Sequence, residues 1–175
     1  MVFSDGLQLR IWNPDTGAAR VVPGTDDGAS AAWSPDGEWI AFTRYERGPA
    51  EMRTCEHYSE GVIGGVPDTV FCLQQRTAWP IARRTLSLVR PDGSDLRELG
   101  DGEDAAWTPD SGALFFRRND QIHRIELSGG ATQAVTGTSG GREPAVSPNG
   151  GEVSFARRTA PGNHDIWRLT LDAQP

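Results

Sequence analysis

The sequence predicts an all-β fold assembled from one antiparallel unit of four short strands, used several times. Three observations carry this reading. The stretches AAWSPDGEWIAFTR (31–44), AAWTPDSGALFFRR (105–118) and PAVSPNGGEVSFARR (144–158) repeat one another with fixed internal spacing. The 175 residues include 21 Gly and 12 Pro, which suits many strands joined by tight turns. After each turn the apolar residues alternate with period two, as in a half-buried strand.

Each unit opens with a short apolar strand, a, ending at Trp33, Trp107 or Val146. The turns SPDG (34–37), TPDSG (108–112) and SPNGG (147–151) follow. Proline presets φ, Asp or Asn closes an Asx-type turn, and Gly accepts the left-handed conformation. Counting from Pro35, Pro109 and Pro148, strand b then places an aliphatic residue at five (Ile40, Leu114, Val153). Phenylalanine follows at seven (Phe42, Phe116, Phe155) and arginine at nine (Arg44, Arg118, Arg157). Three arginines at one strand position imply a repeated structural role.

A second hairpin, strands c and d, is read in LSLVRPDGSDLREL (86–99) and IHRIELSGGATQAV (122–135), with IWRLTLDA (166–173) in the third unit. LRIWNPDTGAARVV (9–22) matches that hairpin with no first hairpin before it. Pro109 to Pro148 is 39 residues, and a four-strand unit of about 40 is the signature of a β-propeller blade. The expectation is a single partial propeller domain over 1–175, with three full blades plus an outer half-blade. The half-blade is 1–24; the blades are 29–100, 103–136 and 142–173. The Trp33-type residues are expected between neighbouring blades.

That count falls short of a ring, which takes about four to eight blades. The N-terminus supplies only c and d, and the C-terminus is read as ending after a d strand, so a second copy would lack the same inner strands. The chain is therefore expected to be part of a longer propeller, or to need another protein. An open array exposes apolar faces and unpaired edges.

The aromatic, S-P-D-G, spacer and I-x-F pattern resembles the TolB-type β-propeller repeat over residues 1–46 and 84–175. Ser111 stands where Gly is usual, and Val146 and Asn149 depart from the pattern in the third unit. The resemblance implies a propeller fold and a binding habit. Such repeats occur in the periplasmic TolB protein, which binds partner proteins, in gating propellers of prolyl-oligopeptidase-type peptidases, and in many other bacterial proteins. It brings no catalytic residue with it.

Residues 47–83 interrupt the repeat between strands b and c of the first full blade. In propellers the b–c and d–a loops share the face that usually carries ligands. A rival reading makes GVPDTVFCL the first hairpin of a degenerate blade. Pro67 to Pro109 is 42, which fits, but Pro35 to Pro67 is only 32. Arg53, His57, Tyr58 and Trp79 are the candidate partner contacts, because aromatics and Arg are the usual interface anchors. Cys55 and Cys72 form a cross-strand disulfide if the protein is exported, or are two reduced thiols; both readings stand. With His57 they offer three zinc ligands, but at no standard spacing, so no metal is expected.

A net charge of −7 and a pI near 4.9 argue against nucleic acid. No apolar run approaches the roughly 18 residues of a membrane span. MVFSDGLQLR lacks the features of a signal peptide. The expected location is periplasmic or cell-envelope if an export signal lies upstream, otherwise cytoplasmic. GTSGG (137–141) resembles the G-D-S-G-G of trypsin-like proteases, but the repeat places it in a d–a loop. The d–a connections carry Asp26, Asp27, Asp101, Glu103, Asp104, Arg142 and Glu143. They are ordinary solvated charge, or a cluster that holds a cation or attracts a basic peptide. His123 and His164 lie in or beside a c strand without an evident partner. The functional expectation is a non-catalytic binding module for a protein or peptide, with no cofactor. The alternative is the gating propeller of a serine peptidase whose hydrolase domain is not in this chain.

Overall fold

The computed structural model describes residues 1–49, 51–52, 77–78, 80–129, 131–160 and 162–171, and among them there is no helix. The first sheet orders β1 (Val2–Ser4), β2 (Leu9–Trp12) and β3 (Ala19–Val21). The second begins with β4 (Gly28–Trp33) and β5 (Ile40–Arg47). Next in the chain come β6 (Glu51–Met52) and β7 (Thr77–Ala78), which pair only with each other. β8 (Ile81–Val89) and β9 (Arg97–Asp101) then complete the second sheet in the order β4-β5-β8-β9. The third sheet is β10 (Glu103–Trp107), β11 (Ala113–Arg118), β12 (Gln121–Glu126) and β13 (Gln133–Ala134). The fourth is β14 (Gly141–Val146), β15 (Glu152–Ala160) and β16 (Asn163–Thr170). Strands adjacent in the chain and within one sheet pair antiparallel, as short turns permit.

Two details differ from the sequence reading. The first sheet has three strands, because Val2–Ser4 pairs with β2 in the b position (Val2↔Ile11, Ser4↔Leu9). Three residues with no S-P-D-G turn before them carry no repeat signature. The fourth sheet stops at β16, a c strand, among the described residues. Among the described residues, the first sheet thus has no a strand and the last has no d strand.

The chain divides into two units, 1–46 with 83–175, and 47–82. In the smaller unit, Glu51 pairs with Ala78 and Met52 with Thr77, and the Gly48 amide donates to the Pro80 carbonyl at 2.7 Å. The larger unit contains the four sheets.

The a–b turns are closed by one hydroxyl each. Ser34 Oγ donates to Asp36 Oδ1 and accepts from the Trp39 amide at 2.9 Å. Thr108 does the same with Asp110 and the Ala113 amide, and Ser147 with Asn149 and the Glu152 amide. Asn replaces Asp because only its Oδ1 is used. These bonds, led by the hydroxyl, hold the Asp36 and Asp110 carboxyls below the usual carboxylate range.

Between sheets lie three apolar cores. Leu9 and Val22 of the first sheet pack on Ile40, Phe42 and Val89 of the second, with Trp33 beside them. Ala41, Leu86 and Leu88 pack on Trp107, Leu114 and Phe116 of the third. Phe115 and Ile122 pack on Val153 and Phe155 of the fourth. Each fully buried Val, Leu, Ile or Phe among them contributes about 1.5–3 kcal/mol. The indole N–H of Trp107 also donates to the Ala32 carbonyl at 3.0 Å, tying the third sheet to the second.

Close packing demands a glycine at the head of each inner strand. A Cβ at Gly28, Gly102 or Gly141 would come within 3.1, 2.5 and 2.9 Å of the ring of Phe42, Phe116 and Phe155, respectively. The three glycines stand seven residues before the turn prolines. Two of the loops leading to them, G-T-D-D-G (24–28) and G-T-S-G-G (137–141), share a buried threonine. Thr25 Oγ1 accepts from the Leu9 amide at 3.0 Å and donates to the Val22 carbonyl at 2.7 Å. Thr138 repeats this with Ile122 at 3.2 Å and Val135 at 2.7 Å.

Candidate functional site

The b–c and d–a connections meet at one end of the sheets. There the Tyr45 amide donates to the Asp27 carbonyl at 3.0 Å, Gly102 to Arg84 at 3.0 Å, and Gly140 to Asp120 at 2.6 Å. In the second sheet β5 ends at Arg47 and β8 begins at Ile81.

Every inner strand is bulged here. The ladder registers slip between Ala29 and Ala32, between Glu103 and Ala106, and between Arg142 and Ala145. Within each slip sits a left-handed residue other than glycine: Ser30 (φ 49°), Asp104 (φ 55°) and Glu143 (φ 51°). A bulge of this kind re-aims the strand and its side chains, and it costs energy at a residue with a Cβ. The same polar position is thus strained three times, in strand a of the second, third and fourth sheets.

The acidic d–a residues do not act as one pool of negative charge. Glu103 is held by Arg84 at 3.0 Å and by Arg117 at 2.7 Å, and Asp101 by Arg83 at 2.7 Å. Asp120 joins Arg117 at 3.1 Å and Arg142 at 3.7 Å. Asp26 accepts from Gln8 Nε2 at 2.8 Å. Asp104 and Glu143 enter no ion pair among the described residues. No three His, Cys, Asp or Glu side chains among those residues gather to hold a metal.

Tyr45 lies in this end, beside the first of these bulges. Burial raises its phenol above the ordinary value, and the Glu103 and Asp104 carboxylates push it the same way, while the Ser30 hydroxyl and Arg84 oppose them. The Asp104 amide donates to Thr43 Oγ1 at 3.3 Å, which fastens the second bulge to the neighbouring sheet. Ser30, Tyr45, Glu103, Asp104 and Arg84 therefore form one polar cluster around a half-buried aromatic. An aromatic body with a hydroxyl tip is a common anchor at interfaces. The sequence reading passed over Tyr45, although it directly follows the repeat arginine.

Of those arginines, two share a role. Arg44 and Arg157 each lie over the phenylalanine two residues earlier, at 5.8 and 5.4 Å. Their guanidiniums donate to the Gly24 and Gly137 carbonyls of the preceding loop. Arg118 has no such loop to cap, because only Gly102 separates β9 from β10, and it keeps no partner among the described residues. His123 rests against the Phe116 ring with centroids 5.9 Å apart, and His164 is exposed.

Arg53, His57, Tyr58, Trp79, Cys55 and Cys72 lie outside the described residues. Ser139 is exposed in a turn that runs into β14. Gly137 to Gly141 also spell G-x-S-x-G, but a nucleophile elbow needs a strand before the serine and a helix after it. Here a strand follows. No helix among the described residues is long and apolar enough to cross a membrane.

No protein-family model matches the sequence, and no curated protein matches it. Solved structures do match. TolB from Acinetobacter baumannii superposes with a TM-score of 0.64 at 16% identity, over 95% of this chain and 36% of that one. A structure of a nidogen/laminin complex gives 0.62 at 12% identity, over 99% of this chain and 58% of the other. A gluconolactonase from Xanthomonas campestris gives 0.54 at 17% identity, over 95% and 53%. The chain thus spans between about a third and three fifths of these matched chains. They include an enzyme and a complex between proteins, so this architecture carries more than one kind of function. At these identities the likeness is one of fold: the four sheets are blades of a TolB-like β-propeller.

Proposed function

We propose that this chain is a binding module for a protein or peptide, and that it binds through the end of the sheets where Tyr45, Asp104 and Glu143 lie. The observation that carries the reading is the threefold bulge. A strained polar residue at the same place in three inner strands costs stability without improving any core, and such strain collects at binding surfaces. Two of the three residues, Asp104 and Glu143, are carboxylates without ion pairs among the described residues, and Tyr45 supplies an aromatic anchor near Ser30 and Asp104. That chemistry suits a basic extended peptide, in keeping with the net charge of −7. The neighbouring nidogen/laminin complex lends support by analogy of fold alone. From residue type alone, Arg53, His57, Tyr58 and Trp79 are also proposed as partner contacts. If the chain is exported, the partner belongs to the cell envelope.

A peptide-array screen tests the proposal. Lysine- and arginine-rich peptides should be retained by the native chain and lost by Tyr45→Ala combined with Asp104→Asn. Equal retention by the variant, or a preference for acidic peptides, would end the reading.

A further inference from the structure

The repeated arginine is engaged in two sheets and not in the third. Arg44 and Arg157 lie over Phe42 and Phe155 at 5.8 and 5.4 Å and donate to the Gly24 and Gly137 carbonyls. Arg118 holds the same place in the third sheet, two residues after Phe116. There both partners are missing. Gly102 alone links β9 to β10, and a Cβ on it would stand 2.5 Å from the Phe116 ring. That ring is taken by His123, with centroids 5.9 Å apart. Arg118 therefore has neither a carbonyl nor an aromatic partner among the described residues, although it is half-buried.

Ladder register shows what stands beside it. Arg118 pairs with Gln121 and Phe116 with His123, so Arg118, Gln121 and His123 share the face that turns toward the second sheet. His123 is the diagonal neighbour of Arg118, about 7–8 Å along the ladder and within reach of a long side chain. Gln121 directs its amide nitrogen to the Val135 carbonyl at 3.1 Å. The Nδ1 of His123 lies 3.2 Å from the Gln121 carbonyl. A carbonyl only accepts, so Nδ1 carries the proton and the neutral ring leaves Nε2 as an acceptor. The acids that flank Gly102 are engaged elsewhere, Asp101 by Arg83 and Glu103 by Arg84 and Arg117.

We infer that Arg118 and His123 form a binding site for inorganic phosphate. A half-buried guanidinium without a counter-charge is costly, and its planar fork matches an oxyanion. Arg118 donates to the phosphate oxygens, and His123 Nε2 accepts from the hydroxyl that hydrogen phosphate keeps near neutral pH. Sulfate has no such proton, and a phosphate monoester has mostly lost its own by about pH 8. Neither can satisfy both side chains. The site belongs to the junction of the second and third sheets and stands independently of what the strand-a bulges bind.

Titration of the native chain with sodium phosphate at about pH 8, against sodium chloride of equal ionic strength, tests it. The ring carbon and nitrogen resonances of His123 report binding. Phosphate should move them to saturation, and Arg118→Gln should weaken that binding by about tenfold or more. Sulfate and a phosphate monoester should each bind the native chain about tenfold more weakly than phosphate. His123→Phe keeps a ring against Phe116; followed by calorimetry, it should lose the preference for phosphate over sulfate and keep the dependence on Arg118. Arg118→Gln should melt with the native chain when phosphate is absent, because its guanidinium is unengaged. A lower melt would show that the chain itself already uses Arg118, and would overturn the inference. So would shifts that rise linearly without saturating, equal binding by Arg118→Gln, or sulfate bound as tightly as phosphate.

Discussion

Thr138→Val isolates the contribution of the loop that leads into an inner strand. Thr138 is fully buried, and its Oγ1 donates to the Val135 carbonyl at 2.7 Å and accepts from the Ile122 amide at 3.2 Å. Valine keeps the shape and removes the oxygen. The Val135 carbonyl retains Gln121 Nε2 at 3.1 Å, so the larger loss falls on the Ile122 amide, which is left in an apolar junction without this acceptor. A buried donor stripped of its partner costs about 1–3 kcal/mol, so about 2 kcal/mol is expected. For a chain of this size that lowers Tm by about 4–8 °C. Thr25→Val should behave alike, since Thr25 bonds Leu9 and Val22 in the same way. The two should add, because they lie in different junctions. Thr16→Val is the control: Thr16 is exposed and only accepts from the Ala18 amide, so its effect should stay within about 0.5 kcal/mol. Thermal melts followed by circular dichroism read all three. If Thr138→Val and Thr25→Val melt no lower than Thr16→Val, the hydroxyl clamp contributes nothing and the reasoning fails.

Three further outcomes are expected. Gly141→Ala brings a Cβ to 2.7 Å from the Thr138 carbonyl and 2.9 Å from the Phe155 ring, so urea unfolding should show a loss of about 1–3 kcal/mol; an unchanged midpoint would refute the close packing. Thr85→Val removes a hydroxyl that is fully buried without a partner among the described residues, and should raise the urea midpoint by the equivalent of about 1 kcal/mol; a lower midpoint would show that the hydroxyl is satisfied. The Asp5 carboxyl is pulled down to about 2, first by its hydrogen bond from Arg10 and then by the Gln8 and Leu7 amides. A depressed folded-state value means the stabilisation is complete above the ordinary Asp range and drains away as pH falls through about 2. In Arg10→Ala the Asp5 titration, followed by carboxyl carbon shifts, should move back up; an unmoved curve would remove Arg10 as the cause.

Much of the fold is legible because the repeat couples local chemistry to packing. Ser34, Asp36 and Gly37 each have a reason to stand in a turn, and Ile40 and Phe42 reach the core simply because strand side chains alternate. The trailing elements are less legible. Val2–Ser4 is too short to show alternation, and the last sheet's end cannot be told from a strand pattern alone. The arginine repeat was half informative: Arg44 and Arg157 need a loop carbonyl to cap, and Arg118 has none. The candidate site was the least legible. The left-handed bulges at Ser30, Asp104 and Glu143 have no residue signature in common, and Tyr45 meets Ser30 within its own sheet but Asp104 only across a sheet junction. One further signal was available: a glycine seven residues before each turn proline marks the head of every inner strand.

By itself, the order of residues determined the unit. Period-two alternation and proline-led turns are local, so they specify hairpins wherever they recur. What the tertiary structure alone decided is which groups those hairpins bring together and which they leave apart. Glu103 could be read as free charge until Arg84 and Arg117 were seen beside it, and Arg44 and Arg118 are alike until one is found on a loop carbonyl and the other on none among the described residues. The physical reason is the same in both cases: charge pairing and hydrogen bonding depend on neighbours that are distant along the chain or belong to another sheet.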